Sequence, residues 1–336
     1  MAIHIEEYIA LAPLTTMHVG GNARFFTRIT SVEDLREAVL FARAKTIPVF
    51  VLGGGSNTLF GEAEYSGLVI KIEINGIDYD GTRVKAQAGE VWDEFVGNVT
   101  ERNLWGIENL SLVPGTVGGA VVQNIGAYGV EVKETIFSVD AFDTETMQIK
   151  TFLRDECEFG YRESIFKKNK NLIVVSATFE LTASGAPNID YEDVKKYFYE
   201  HIINTPSLIE IREAIVAIRT AKMPRHPIGT AGSFFKNPVV HMPQYESLKK
   251  QFPEIKSYLQ GDNTVKLSAA WLIDHVGGWR GVRRGDAGVH EKQALILVNY
   301  GSATAKEILS LAEEIKKDIK QKTNVDIEEE VVIIAK

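Results

Sequence analysis

Apolar positions along this chain keep two rhythms, one helical and one strand-like, and the changes of rhythm mark its elements. Val32, Leu35, Val39 and Ala42 recur on one helical face behind Ser31-Val32-Glu33-Asp34, which resembles a capping box. The apolar run Pro48-Val49-Phe50-Val51-Leu52 follows, so a helix feeds a strand. Leu68-Val69-Ile70-Lys71-Ile72 and the alternating Val84-Lys85-Ala86-Gln87-Ala88 predict further strands, and Val91, Phe95, Val96 and Val99 predict a helix. Mixed α and β patterning continues to about Leu181. Thr182-Ala183-Ser184-Gly185-Ala186-Pro187-Asn188 is then small and polar, and Ser207-Leu208-Ile209-Glu210 caps a new helix, so a domain boundary is predicted between them. Near the C-terminus a helix from about Thr304 carries Ile308, Leu311, Ile315 and Ile319 on one face, ahead of the strand Val331-Val332-Ile333-Ile334.

Two glycine-rich stretches interrupt these patterns. The Pro48 strand empties into Gly53-Gly54-Gly55-Ser56-Asn57, and Pro114-Gly115-Thr116-Val117-Gly118-Gly119 follows. Glycine lets backbone N–H groups approach phosphate oxygens closely, so the pair suggests a diphosphate cradle and a bound nucleotide. One such loop alone could simply end a strand. A dinucleotide fingerprint of the Rossmann kind fails, because Thr58 stands where the third glycine belongs. A P-loop is excluded, since neither Gly-Lys-Ser nor Gly-Lys-Thr occurs in the chain.

Composition narrows the class. At 336 residues two or three domains are expected, and an apolar fraction of 45% fits a globular enzyme. A formal net charge of -8 disfavours a long nucleic-acid or anionic-membrane surface while leaving a small anionic ligand open. The single cysteine, Cys157, permits no internal disulfide and no cysteine metal cluster, and a structural role is expected for it. The seven histidines are dispersed, so no metal site is predicted; His290, in Gly288-Val289-His290-Glu291, is either near an active face or structural. The start, Met1 to Glu7, is acidic without an apolar leader region, and no apolar run reaches membrane-spanning length, from which a cytoplasmic location is expected.

Three polar residues stand in unusual company. Arg162 sits in Phe159-Gly160-Tyr161-Arg162-Glu163-Ser164-Ile165-Phe166-Lys167, where aromatics could stack a guanidinium and aim it at a carboxylate; otherwise it is a surface arginine paired with Glu163 or Glu158. Ser233 lies in Gly229-Thr230-Ala231-Gly232-Ser233-Phe234-Phe235-Lys236-Asn237-Pro238, either a turn serine or a hydroxyl able to donate a proton into a dry site. Glu330 ends the run Glu328-Glu329-Glu330, which is a solvated charge cluster unless the residue beside Val331 points inward.

At these segments the chain resembles the bacterial UDP-N-acetylenolpyruvoylglucosamine reductases (UDP-N-acetylmuramate dehydrogenases), from Thr16-Met17-His18-Val19-Gly20-Gly21-Asn22 to the last strand. The most specific pieces are Leu52 to Phe60, Leu112-Val113-Pro114-Gly115 with Gln123-Asn124-Ile125-Gly126-Ala127-Tyr128-Gly129, Tyr161-Arg162-Glu163-Ser164, and Gly232 to Pro238. The first two also resemble a wider group of flavin oxidases. The resemblance implies an α+β protein: a two-subdomain FAD-binding module of the vanillyl-alcohol-oxidase (PCMH) type, residues 1–72 and 73–182, with an α+β substrate domain at 207–336. It places FAD between the two subdomains, its diphosphate over Gly53, Gly54, Gly55, Ser56 and Asn57 and over Pro114, Gly115, Gly118 and Gly119, with Asn124, Gly126, Ala127 and Tyr128 nearby. Lys222, Asn237 and Gln293 would meet the substrate, UDP-N-acetylglucosamine enolpyruvate. Tyr191 matches the loop tyrosine of one subgroup, although Glu192-Asp193 departs from the usual glycine and a half-buried helix aromatic remains the alternative. The implied reaction takes electrons from NADPH in a ping-pong cycle and passes hydride from FAD N5 to the enolpyruvyl carbon. Ser233 would supply the proton, and Arg162 and Glu330 would stabilise the substrate carboxylate. The expected partner is this small molecule, with neither nucleic acid nor membrane; the residues leave the oligomeric state open, a monomer being the expectation.

Overall fold

The computed structural model describes residues 3–261 and 263–334; Met1 and Ala2 of the acidic start lie outside the described residues. The chain divides into two compact units, one made of Met1–Ile9, Ala23–Gly54 and Tyr65–Ala221, the other of Ala10–Asn22, Gly55–Glu64 and Lys222–Lys336.

The first unit holds two sheets. Four strands lie in the order Glu6–Ala10, Asn22–Ile29, Tyr65–Ile72, Val49–Leu52. Tyr65–Ile72 is parallel to both neighbours, with Phe25 opposite Leu68 on one side and Val49 opposite Leu68 on the other. The capped helix Val32–Lys45 supplies the crossover that parallel strands require: Ser31 accepts the Asp34 N–H at 3.1 Å, and Leu35, Ala38, Val39 and Ala42 are buried. The second sheet is antiparallel, in the order Gln148–Leu153, Ile136–Asp143, Leu172–Glu180, Arg83–Gln87, Ile77–Asp80. Trp92 and Phe95 nest against its Phe179, with the three ring centroids 4.9 to 6.0 Å apart. Val91, predicted to join the buried face of that helix, is instead its N-cap and 46% exposed, because Trp92–Glu101 begins one residue later.

Two more helices, Glu192–Glu200 and Leu208–Lys222, share a small core of Val194, Phe198, Ile211, Ala214, Ile215 and Ile218. Ser207 caps the second as the sequence suggests, accepting the Glu210 N–H at 3.3 Å. The compact units nonetheless change at Ala221–Lys222, after this helix, whereas the patterning placed the break before it. The cause is that its apolar face is buried within the first unit, and that Arg212 and Arg219 on it bond to Asp93 and to the carbonyl of Leu112.

In the second unit the strands Gly229–Ser233, Ile296–Asn299, Ala287–Val289 and Arg283–Arg284 form an antiparallel sheet. The helix Ala305–Thr323, with Thr304 and Glu307 in a reciprocal cap, buries Ile308, Leu311, Ile315 and Ile319 in this unit's core. Val332–Ile334 runs parallel to Thr58–Phe60, and Met17, Val19 and Leu59 join the same core. Those contacts draw 10–22 and 55–64 out of the N-terminal sequence region and into the C-terminal unit. Among the described residues no helix is long and apolar enough to cross a membrane.

The half-buried Asp93 carboxylate accepts from Arg212 and from the Leu112 N–H, each at 2.6 Å. Burial raises its pKa, but those bonds outweigh burial and hold it below the ordinary carboxylate value. A depressed folded pKa contributes stability above the unfolded value of about 4, and that contribution is lost as pH falls through the folded pKa. Asp93→Asn should therefore cost roughly 1–3 kcal/mol at neutral pH, with the gap to wild type narrowing below about pH 4. Urea unfolding at the two pH values checks this; an equal gap at both would contradict it.

Candidate active site

In the first unit the two glycine stretches meet backbone to backbone. A Cβ on Gly53 would lie 2.7 Å from Thr116 Oγ1, and one on Gly54 would lie 2.7 Å from Gly115 Cα. Neither space admits a methyl group, so glycine is demanded at both positions. Leu112, just ahead of Pro114-Gly115, has φ +57, a left-handed conformation rare for leucine. Its N–H is held by Asp93 and its carbonyl accepts from Arg219 Nε at 3.2 Å, so both sides of the strained residue are fixed. Gly118 and Gly119 differ in kind. The Gly118 N–H donates to Ala88 O at 3.0 Å, its Cβ would strike the Ala88 methyl at 2.9 Å, and the Gly119 N–H is capped by Thr116. Packing against Ala88 demands glycine at 118, whereas at 119 a Cβ would make only an ordinary contact, 3.6 Å from Thr116 Oγ1.

Asn124, Gly126 and Arg162 come together in the same unit. Buried Asn124, at φ +43, donates to Gly160 O at 2.8 Å and Glu131 Oε2 at 3.2 Å and accepts from the Lys133 N–H. Gly160 and Glu163 close a tight turn with bonds of 3.0 and 3.2 Å, and Arg162 occupies it with φ +58. Its guanidinium lies 5.3 Å from the Tyr161 ring centroid and donates to Gly126 O at 2.7 Å, the aromatic setting that the sequence suggested.

Tyr128 and Tyr191 also meet, edge to face at 5.3 Å. Tyr191 is the N-cap residue of Glu192–Glu200 and 37% exposed, between the loop and helix readings. Asn109 donates to Tyr128 O at 3.0 Å and to Asn188 O at 2.9 Å, and buried Arg219 bonds to the Tyr128 hydroxyl, whose pKa burial pushes up. Asn109 and Arg219 were not singled out in the sequence, where a lone asparagine and one arginine on an amphipathic helix look solvated.

In the second unit Gly232, at φ +73, breaks the register between Thr230 and Ser233. Half-buried Ser233 leads into Phe234 and Phe235, both fully buried. Glu330 N–H donates to Phe234 O and Lys236 N–H to Glu328 O, each at 2.8 Å, so the serine-bearing and glutamate-bearing segments are zipped side by side. The acidic run is thereby split: Glu329 pairs with Lys316 at 2.8 Å, while half-buried Glu330 is held through its backbone, its carbonyl accepting from Asn57 Nδ2 at 3.3 Å. Asn237 accepts the Ala269 N–H at 2.9 Å, and the Gln293 side chain accepts the Leu295 N–H at 3.4 Å. Lys222, half-buried, ends the helix Leu208–Lys222 and begins this unit. Gly55, Ser56 and Asn57 also belong to this unit, whereas Gly53 and Gly54 belong to the first.

The family matches span both glycine stretches and the Ser233 segment. Residues 23–151 match the FAD binding domain family, and residues 223–334 match the C-terminal domain of UDP-N-acetylenolpyruvoylglucosamine reductase. The UDP-N-acetylenolpyruvoylglucosamine reductases of Pseudomonas syringae pv. syringae (strain B728a) and of Pseudomonas aeruginosa (strain PAO1) are each 41% identical, over 98% of this chain and 99% of their own. That of Flavobacterium johnsoniae is 40% identical over 99% of this chain and 100% of its own. The crystal structure of the Thermus caldophilus enzyme (MurB) superposes with a TM-score of 0.70 at 25% identity, covering 98% of this chain and 99% of that one.

The space a Cβ would take at Gly53 and Gly54 is filled by Thr116 and Gly115, so glycine lets the two stretches meet, as a loop pair offering its N–H groups to a dinucleotide diphosphate would need. A methyl group on Gly54 must part it from Gly115. Gly54→Ala should therefore weaken FAD retention by about tenfold or more, an overpacking cost of roughly 1–3 kcal/mol. Flavin absorbance of the purified variant and FAD titration of its apoprotein measure this; wild-type retention would remove the glycine contact from the account.

Proposed function

The chain belongs to the UDP-N-acetylenolpyruvoylglucosamine reductase family, and from that premise we propose how its own residues divide the reaction. It is an FAD-dependent oxidoreductase that reduces UDP-N-acetylglucosamine enolpyruvate for peptidoglycan synthesis. NADPH is the proposed electron source, giving UDP-N-acetylmuramate in a ping-pong cycle. FAD, when bound, supplies the hydride that reaches the terminal carbon of the enolpyruvyl double bond. Gly53, Gly54, Pro114 and Gly115 hold its diphosphate, Asn124 and Gly126 order the adjoining loop, and Tyr128 lines it.

Hydride addition leaves negative charge on the substituted carbon, spread into the substrate carboxylate. Arg162 meets that carboxylate with its planar fork, and Glu330 in its protonated form donates its O–H to the same group. The Ser233 hydroxyl gives its proton to the substituted carbon, which completes the lactyl ether. Lys222 and Asn237 take the substrate diphosphate, Gln293 contacts the nucleotide sugar, and Tyr191 covers it. The observation that carries this reading is the zipper that sets the Ser233 segment against the Glu330 segment, bringing the proposed proton donor and one proposed carboxylate partner onto adjacent backbones.

Ser233→Ala separates the half-reactions. Flavin bleaching by NADPH should survive, while reoxidation by the enolpyruvyl substrate should slow by ~10² to 10⁴-fold, the usual worth of a positioned acid. Stopped-flow spectra decide it, and equal slowing of both steps would remove Ser233 as proton donor. If both reactants use one pocket in turn, initial-rate lines should be parallel and high substrate should inhibit; intersecting lines would sink the ping-pong cycle.

A further inference from the structure

We propose that Lys167 is a positioning residue that locks Arg162 into its working conformation, a proposal that rests on reading Arg162 as the carboxylate clamp. Arg162 sits at φ +58, where a residue with a Cβ is strained, so the turn needs outside support. The Lys167 ammonium provides it, donating to Arg162 O at 2.8 Å and to Gln123 Oε1 at 2.9 Å, with only 17% of its side chain exposed. Glu163, the acidic neighbour that an ordinary surface lysine would prefer, lies at a looser 3.9 Å. A lysine turned inward onto two neutral oxygens acts on the main chain that carries the arginine.

Local structure fixes this geometry. Ser164 is buried and caps the single turn Ile165–Lys168, accepting the Lys167 N–H at 3.2 Å while its own hydroxyl donates to Val122 O at 2.7 Å. The turn therefore starts at a set point, and Lys167 reaches back over it to the carbonyl of Arg162. The guanidinium is tied at its far end to Gly126 O. Arg162 is thus held at both ends, by Lys167 on its backbone and by Gly126 at its tip. Loss of the first tie lets the turn relax toward an ordinary φ and re-aims the fork.

The test is a double-mutant cycle read on the two half-reactions of the FAD-loaded enzyme. Lys167→Met should slow reoxidation by UDP-N-acetylglucosamine enolpyruvate about 10- to 100-fold, the scale of a small misplacement of a catalytic group, and leave flavin reduction by NADPH unchanged. In an Arg162→Ala background the same change should add no further loss, and Lys167→Arg should recover part of the rate. Equal slowing of both half-reactions, or the same fold-loss with and without Arg162, would overturn the proposal. Wild-type reoxidation by Arg162→Ala alone would instead overturn the clamp on which it rests, and that outcome is read without touching Lys167. Should Lys167→Met fail to fold, Gln123→Leu removes the ammonium's side-chain partner. A smaller loss in the same half-reaction is then expected, and no loss would count against the proposal.

Discussion

The bond network around Leu112 is the constraint on which the first unit's site depends. Leu112 must hold a left-handed backbone for Pro114 and Gly115 to arrive against Gly53 and Gly54, and a leucine does not do so unaided. Asp93 grips its N–H and Arg219 its carbonyl, while Arg212 completes the Asp93 pair. Two of these three side chains come from Leu208–Lys222, the helix whose apolar face closes the small core with Val194 and Phe198. Burial of that face and the shape of the glycine cradle are therefore one event. Arg219 extends the coupling by bonding the Tyr128 hydroxyl, against which Tyr191 rests.

The same device recurs through the unit. Leu112, Asn124, Tyr128 and Arg162 all have positive φ without being glycine, and hydrogen bonds fix the backbone beside each. Each left-handed residue costs on the order of 1–2 kcal/mol. Such residues also occur elsewhere, at Tyr8, Thr46 and Asn103 for example, but the ties that hold Asn124, Tyr128 and Arg162 fit a site whose shape is set before ligand arrives. In the second unit the equivalent work falls to a glycine, Gly232, whose register break ends the strand at Ser233.

Much of this was legible in the sequence wherever the signal is local. The capped helices after Ser31, Ser207 and Thr304 form where their caps and apolar spacing place them. The resemblance carried by the Gly53, Arg162 and Ser233 segments led to the family. What local pattern cannot carry is pairing across most of the chain. Pairing with Val332–Ile334 is what makes Thr58–Phe60 a strand of the C-terminal unit. The apolar face of Leu208–Lys222 is visible, but not which core it fills, and so the boundary fell one helix early. Gly118 is a candidate for phosphate in the sequence, and the fold adds a packing demand that no local pattern shows, with Ala88 2.9 Å from its missing Cβ. Arg212, Arg219 and Lys167 are polar residues on helices, a position that normally means solvent; only the tertiary fold reveals the backbone and side-chain oxygens they serve.

The central claim is that this chain reduces a carbon–carbon double bond and does not hand electrons to oxygen. The most direct test is the anaerobic spectrum of the wild-type holoenzyme, bleached by one equivalent of NADPH and then mixed with UDP-N-acetylglucosamine enolpyruvate. The yellow of oxidised flavin should return at once and in proportion to substrate added. Flavin that stays bleached with the substrate, yet recolours rapidly on admission of air, would contradict the account.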